Sequence, residues 1–207
     1  MSFSGEAFHA GIHGERLWQF LGRFHSISQE EKEALLPFLT VTRIPKNKFL
    51  QEIGYTCKTI YFMNSGLARI FYYKDEHEVT ELFAQEGEII VRVESLFTGR
   101  PSRKGIHILE DSEIIGINAS GLFQLYDTHH GIERLFRKVF EAEHLQTVLR
   151  LESLQFHSAE ERYEILLKET PNLIKRVPLK FIASYLGITQ TSLSRIRGKG
   201  QSHRVKL

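Results

Sequence analysis

Residues 178–198 read PLKFIASYLGITQTSLSRIRG, and this stretch decides how the rest of the chain is understood. Two short helices that cross steeply need a small residue at the contact, a glycine in the turn and apolar side chains at fixed offsets. Ala183 is the small residue, Gly187 the turn, and Ile182, Leu186, Ile188, Leu193 and Ile196 a shared core. Pro178 can open the first helix without wasting a hydrogen bond, Gly187 can take the left-handed conformation that ends it, and Thr189 can cap the second. The segment therefore reads as a helix-turn-helix.

With Leu193 and Ile196 turned inward, Thr189, Gln190, Thr191, Ser194 and Arg195 occupy the start and outer face of the second helix. Gln can bond adenine and Arg guanine in a bidentate way, and the short hydroxyls reach bases or phosphates. Lys180, Arg197, Lys199 and Arg204 are placed to grip phosphate and fix register. The charge distribution points the same way. Residues 171–207 hold eight Lys or Arg and no Asp or Glu, which leaves 19 basic against 25 acidic residues, a net charge of −6, for residues 1–170. Cations clustered beside an acidic body supply sequence-independent affinity for DNA by releasing counterions from its phosphates.

Ahead of this segment lie two other textures. Residues 6–25 and 28–39 read as helices, the second opened by a Ser28/Glu31 capping box and closing near Pro37. From Val41 to about Asn118 the runs VTRI, KFLQEI, TIYFMN, LARIFYYK, HEVTELFAQ, GIHIL and SEIIGI alternate with turn residues, as in a sandwich or jelly roll. Lys74-Asp75-Glu76 marks a hairpin tip, and Asn64-Ser65-Gly66 another turn. From Ile132 the period becomes helical. Ile132, Leu135, Val139, Ala142, Gln146, Leu149, Ser153 and Phe156 form a coiled-coil-like seam along a helix of roughly 39 Å, at about 1.5 Å per residue. That seam buries against a twin or, in the alternative left open by Gln146 and Ser153, against its own β domain. Ser158 with Glu161 restarts a helix after a hinge at His157-Ser158.

Composition narrows the function classes. At 42% hydrophobic and 25% charged the chain is an ordinary globular protein, and no apolar run approaches the roughly eighteen residues of a bilayer span, so a cytoplasmic protein is expected. A single cysteine, Cys57, is too few for a disulfide framework or an iron–sulfur cluster, and reads as a small buried hydrophobe. Ten histidines raise a metal site, but His77, His107, His129 and His130 lack metal-ligand spacing, which removes a cupin-like enzyme. No nucleophile elbow, P-loop or dinucleotide motif is present. No catalytic residue, metal or cofactor is expected.

The order β domain, long helix, helix-turn-helix, with SGLARIFYY, ESLFTGRPS, LEDSE and IASYLGITQTSLSRIR, resembles the Crp/Fnr superfamily of bacterial transcription regulators over essentially the whole chain. The resemblance implies an α+β protein. Its parts would be a cyclic-nucleotide-binding-like β jelly roll over 1–130, a dimerisation helix over 131–157 and a winged helix-turn-helix over 158–207. It further implies a homodimer on palindromic double-stranded DNA, with RNA polymerase as a partner. Members that bind cyclic AMP carry a Gly-Glu pair, a further Gly and then Arg-Ser or Arg-Thr. Anchored on Gly99, that pattern places Val91-Arg92 and Ser102-Arg103 at the two pairs, so the ribose acceptor has become a cation. Gly87-Glu88 offers a substitute only by stretching the cassette by four residues. Arg92, Arg100, Ser102 and Arg103 are then candidates for a pocket holding a small anionic effector, against the alternative of surface charges answering Glu86, Glu88 and Glu94. A second function class, a ligand-binding or signalling module acting through protein partners, would follow if the helix-turn-helix had lost its reading positions.

Overall fold

The computed structural model describes residues 6–8 and 13–204, with 199–204 described by backbone only. The chain divides into two compact units, one formed by residues up to Tyr72 with Leu82–Glu143, the other by Tyr73–Glu81 with residues from His144 onward.

The first unit is a β sandwich. One sheet has the order β1 (Glu6–Ala7), β2 (Leu39–Ile44), β9 (Ser112–Asn118), β4 (Thr59–Ser65), β7 (Ile89–Ile90). The other runs β3 (Phe49–Gln51), β8 (Gly105–Ile108), β5 (Ala68–Lys74), β6 (His77–Ala84). Period-two alternation sorts the side chains between two cores. On β4, Met63 and the half-buried Tyr61 join the inter-sheet core with Ile44, Ile70, Ile90, Ile106, Ile108 and Ile114. Ile60 and Phe62 take the opposite face, as do Ile115 and Ile117 of β9.

That outer face is covered by helices: α1 (Glu15–Gly22) through Leu17, Phe20 and Leu21, α2 (Gln29–Leu35) through Leu35, and, after α3 (Val93–Thr98), α4 (Ala119–Leu125) through Leu122. The Ser28/Glu31 capping box of α2 forms as read, and a 3₁₀ turn over Leu36–Phe38 closes it at Pro37. The hairpin tip also falls as read, with Asp75 at φ 48° and Glu76 at φ 64°. At the other turn Gly66 sits at φ 94°, where a Cβ would stand 2.1 Å from Ser112 Oγ. Two expectations change. Glu6–Ala7 is a strand paired with β2, so the helix read over 6–25 does not start there; a helix runs over Glu15–Gly22, and residues 9–12 lie outside the described part.

The second change concerns α5 (His130–Phe156), whose apolar pattern serves two purposes. Ile132, Leu135, Phe136 and Val139 are buried in the outer core of the sandwich, so the first half of the expected seam packs on its own domain. In the second half Gln146 and Ser153 belong to no core, while Leu145, Leu149, Leu151, Leu154 and Phe156 are exposed.

In the second unit α5 is followed by α6 (Ala159–Glu169), α7 (Leu173–Arg176), α8 (Leu179–Tyr185) and α9 (Gln190–Arg204). Ser158 and Glu161 form the second capping box. Residues 144–204 contain no strand, and α9 continues to Arg204, so the wing implied by the resemblance is not built among the described residues.

Candidate functional site

The helix pair α8–α9 is assembled by local rules. Pro178 stands at the N-cap of α8, one place earlier than the first-turn position a proline favours, and its carbonyl accepts from Phe181 N at 2.9 Å. The far end closes as a Schellman motif: Gly187 N donates to Ser184 O at 3.1 Å and Ile188 N to Ala183 O at 3.0 Å, with Gly187 at φ 70°. Thr189 Oγ1 accepts from Ser192 N at 3.2 Å and so caps α9. Phe181, Ile182, Ala183, Leu186 and Leu193 are buried, together with Leu173 and Val177 below and Tyr163 and Leu166 of α6. Ile188 and Ile196, read as core, are half-buried at its margin.

Thr189, Gln190, Thr191, Ser194 and Arg195 are all exposed. Buried Leu193 fixes the rotation of α9: at about 100° per residue Thr191 and Arg195 lie about 160° from it and Ser194 about 100°, while Gln190, about 60° away on the near side, is exposed in the first turn. Ser194 Oγ donates to Gln190 O at 3.1 Å, which holds it close to the helix surface. Lys180 is exposed with Nζ 4.8 Å from the Phe181 ring centroid, Arg197 is half-buried, and the side chains of Lys199 and Arg204 lie outside the described residues.

Two arginines that local sequence patterns did not single out anchor this pair. Arg162 of α6 donates Nε and Nη2 to Leu186 O at 3.1 and 2.8 Å and Nη1 to His157 O. Arg150 of α5 donates to Tyr185 O and lies 3.8 Å from the Tyr185 ring centroid. A cation on the last carbonyls of a helix satisfies orphan acceptors and opposes the negative end of the dipole. Burial lowers the pKa of Arg150. A third tie is Ser184, whose Oγ accepts from Thr80 N of β6 at 3.1 Å and donates to Phe181 O.

The outer half of α5 supplies an apolar face. Leu145, Leu149 and Phe156 are 55%, 46% and 74% exposed and, at about 100° per residue, fall within about 40° of one another around the helix. On the inner half, Glu143 has its pKa raised to about 7 by burial and by the nearby Glu88, whose own carboxyl is also raised by burial.

The cassette residues of the β sandwich separate. Arg92, at the N-cap of α3, is 1% exposed, whereas Arg100 and Arg103 are at the surface. The Arg92 guanidinium therefore has surroundings unlike those of the other two. Arg92 Nη1 donates to Lys104 O at 2.5 Å, while Nε and Nη2 meet no hydrogen-bond partner. Its charged or polar neighbours are the Cys57 thiol, the Glu94 carboxylate and the Tyr61 phenol. Burial lowers the pKa of the Arg92 guanidinium and raises that of the Tyr61 phenol. Buried Ser102 is committed elsewhere. Its Oγ donates to Glu94 Oε1 at 2.7 Å and accepts from Lys104 N at 3.1 Å, and its backbone exchanges hydrogen bonds with Gly54 and Tyr55. Cys57 is buried, as read, its amide held by Ser95 Oγ at 2.9 Å. Among the described residues no group of three or more His, Cys, Asp or Glu is placed to hold a metal, and no helix is long and apolar enough to cross a membrane.

Comparison with known proteins places this geometry. The family described as cyclic nucleotide-binding domain matches residues 41–129. No curated protein matches the sequence. Among solved structures, FixK2 from Bradyrhizobium japonicum is similar at 17% identity, a TM-score of 0.69, and coverage of 80% of this chain and 85% of that one. CLP of Xanthomonas campestris, a global regulator responsive to c-di-GMP, is similar at 18% identity, TM-score 0.66 and coverage of 85% and 93%. A regulator assigned to the Crp/Fnr family from Eubacterium rectale gives 15% identity, TM-score 0.68 and coverage of 89% and 88%. At these identities the likeness is one of fold: the chain has the architecture of the Crp/Fnr regulators.

Proposed function

We propose that this chain, with its Crp/Fnr architecture, is a homodimeric transcription regulator that reads a palindromic operator in double-stranded DNA through α9. One observation carries the reading: Gln190, Thr191, Ser194 and Arg195 stand exposed on a helix rotationally fixed by Leu193, in a stretch that holds eight cations and no acid. A helix pair of this kind inserts its second member in the major groove, with the N-terminal residues at base edges. Gln190 and Arg195 would specify bases, while Thr189, Lys180, Arg197 and Lys199 would hold phosphates.

The second copy follows from geometry. A single α9 spans only a few base pairs, and the exposed Leu145–Leu149–Phe156 face of α5 supports an isologous pairing that sets two such helices about 34 Å apart, one turn of DNA. RNA polymerase enters as a partner only by resemblance to the family.

The β sandwich would act as the effector domain, but not for cyclic AMP held in the usual way. A cyclic nucleotide needs an acceptor for its ribose hydroxyl and a cation for its phosphate. The positions that correspond carry buried Arg92, which accepts nothing, and Ser102, which is bonded to Glu94. Calorimetric titration with cyclic AMP should show no saturable heat at physiological concentrations, and micromolar binding would refute this part. The regulator reading itself is tested by selecting DNA from a random pool. A module that works only through protein partners enriches nothing above a salt-sensitive background.

A further inference from the structure

Arg92 and Cys57 are buried together at the start of α3. Arg92 is the N-cap of that helix, and Ser95, three residues on, holds the Cys57 amide through Oγ at 2.9 Å. The two residues are 1% and 3% exposed. The thiol donates its proton to Thr59 O at 3.3 Å, which leaves the sulfur lone pairs to face other donors. The guanidinium supplies them. Its Nη1 is spent on Lys104 O, whereas Nε and Nη2, the side-by-side edge of the fork, meet no hydrogen-bond partner. Cys57 acts on the guanidinium as a charge and at the margin of hydrogen-bonding range, and both groups act on the Tyr61 phenol, so the three share one buried space.

Sulfur is a weak acceptor, and donors taken out of water without a strong acceptor lose their hydration with no return. Nearby oxygens do not repair this. Glu94 accepts from Ser102 through Oε1, and no oxygen of the protein meets Nε or Nη2. One oxygen added to the sulfur itself would bring the missing acceptor to both donors. A thiol among apolar groups alone is inert, while a neighbouring cation makes one reactive. We propose that Cys57 is a modification site, oxidised by a hydroperoxide to a sulfenic acid whose oxygen accepts from Nε and Nη2 of Arg92.

The step balances without a further reactant. The sulfur attacks the nearer peroxide oxygen, the S–O bond forms as the O–O bond breaks, and sulfur gives up two electrons. The departing oxygen takes the thiol proton and leaves as water, or as an alcohol from an alkyl hydroperoxide. Arg92 stabilises the oxygen as it arrives and holds the product by charge-assisted hydrogen bonds. Burial of the thiol restricts the oxidant to a molecule of a few atoms. Any regulatory use of the modification rests on the regulator reading above, but the chemistry does not.

The test treats full-length protein, in the absence of DNA, with hydrogen peroxide and separately with N-ethylmaleimide. It follows the mass of the peptide holding Cys57 and the Arg92 Nε–H resonance. Peroxide should add one oxygen to Cys57, removable by dithiothreitol, and shift that resonance, while the bulkier maleimide reacts slowly. Arg92→Met should oxidise at least about tenfold more slowly, the loss of one charge-assisted hydrogen bond, with maleimide labelling still slow as the check that the thiol has not been uncovered. The proposal is overturned if Cys57 stays reduced while a methionine of the same sample gains oxygen, if Arg92→Met oxidises at the wild-type rate, or if oxidation leaves the resonance unmoved. The last reading needs only the wild type and decides the matter should Arg92→Met not fold. Operator selection on the same preparation separates the two readings. Oxidation of Cys57 without DNA selection leaves the site standing and removes the regulator, and the reverse result removes the site alone.

Discussion

Replacing Leu149 by Ala should weaken the dimer without unfolding the protomer. Full burial of a leucine contributes about 1.5–3 kcal/mol, and Leu149 is 46% exposed in the protomer, so roughly half of that remains to be gained at an interface. Two-fold symmetry counts the side chain twice, and Ala retains a part, so the loss is about 1–2 kcal/mol per dimer. That corresponds to a rise of roughly 5- to 30-fold in the dimer dissociation constant. Phe156, at 74% exposure, should cost more on the same grounds. Sedimentation equilibrium measures the constant, and circular dichroism checks that the protomer is intact, since Leu149 belongs to neither core of the sandwich. An unchanged constant in Leu149→Ala, or a wild type that stays monomeric at high concentration, would refute the assignment of this face of α5 as the pairing surface.

Three further outcomes follow from the geometry. Gly187→Ala should cost about 1–2 kcal/mol in thermal or urea unfolding, because an L residue is strained at φ 70°. A Cβ there would meet only ordinary contacts, Leu154 Cδ2 at 3.7 Å and Arg162 Nη2 at 3.9 Å, so a loss much larger than that would mean the strain argument misses the cause. Glu143, with its folded pKa raised to about 7 from 4.5, favours the native state when protonated. Stability should therefore fall as pH rises from about 4.5 to about 7 and then level. Glu143→Gln should remove that slope and gain about 1–2 kcal/mol at alkaline pH after allowance for partial solvent screening, as read from urea midpoints at about pH 5 and about pH 8. Lys180→Ala should weaken binding to all DNA sequences about equally and reduce the salt slope by about one, in contrast to a base-reading residue, and Lys199→Ala should behave in the same way.

What the sequence disclosed was whatever depends on neighbours a few positions apart. Ala183, Gly187, Leu186 and Leu193 encode the helix pair within eleven residues, and both Ser-x-x-Glu boxes formed where they stand. Strand alternation located seven of the strands, but Glu6–Ala7 and Ile89–Ile90 are two residues long and carry no period to read. The α5 seam misled because one apolar register was stretched over two surroundings. Ile132 to Val139 answer the sandwich, whereas Leu145, Leu149 and Phe156 face outward on a different set of positions. Arg150 and Arg162 were invisible for another reason. A cation on a helix surface reads as solvated until the fold brings it to carbonyls 24 and 35 residues away. Arg92 is the sharpest case, since propensity places a guanidinium at the surface. The resemblance implied a cation there in place of an acid, and only the structure showed that two of its nitrogens are buried without partners.

The account stands on α9 reading base edges, and the direct measurement is selection from a random DNA pool by the wild type and by Arg195→Ala at a fixed salt concentration. The wild type should enrich an inverted repeat with half-sites about one helical turn apart, and Arg195→Ala should relax the preference at one position in each half-site while keeping salt-sensitive background binding. Enrichment of no motif by the wild type, or of an identical motif by both proteins, would contradict it.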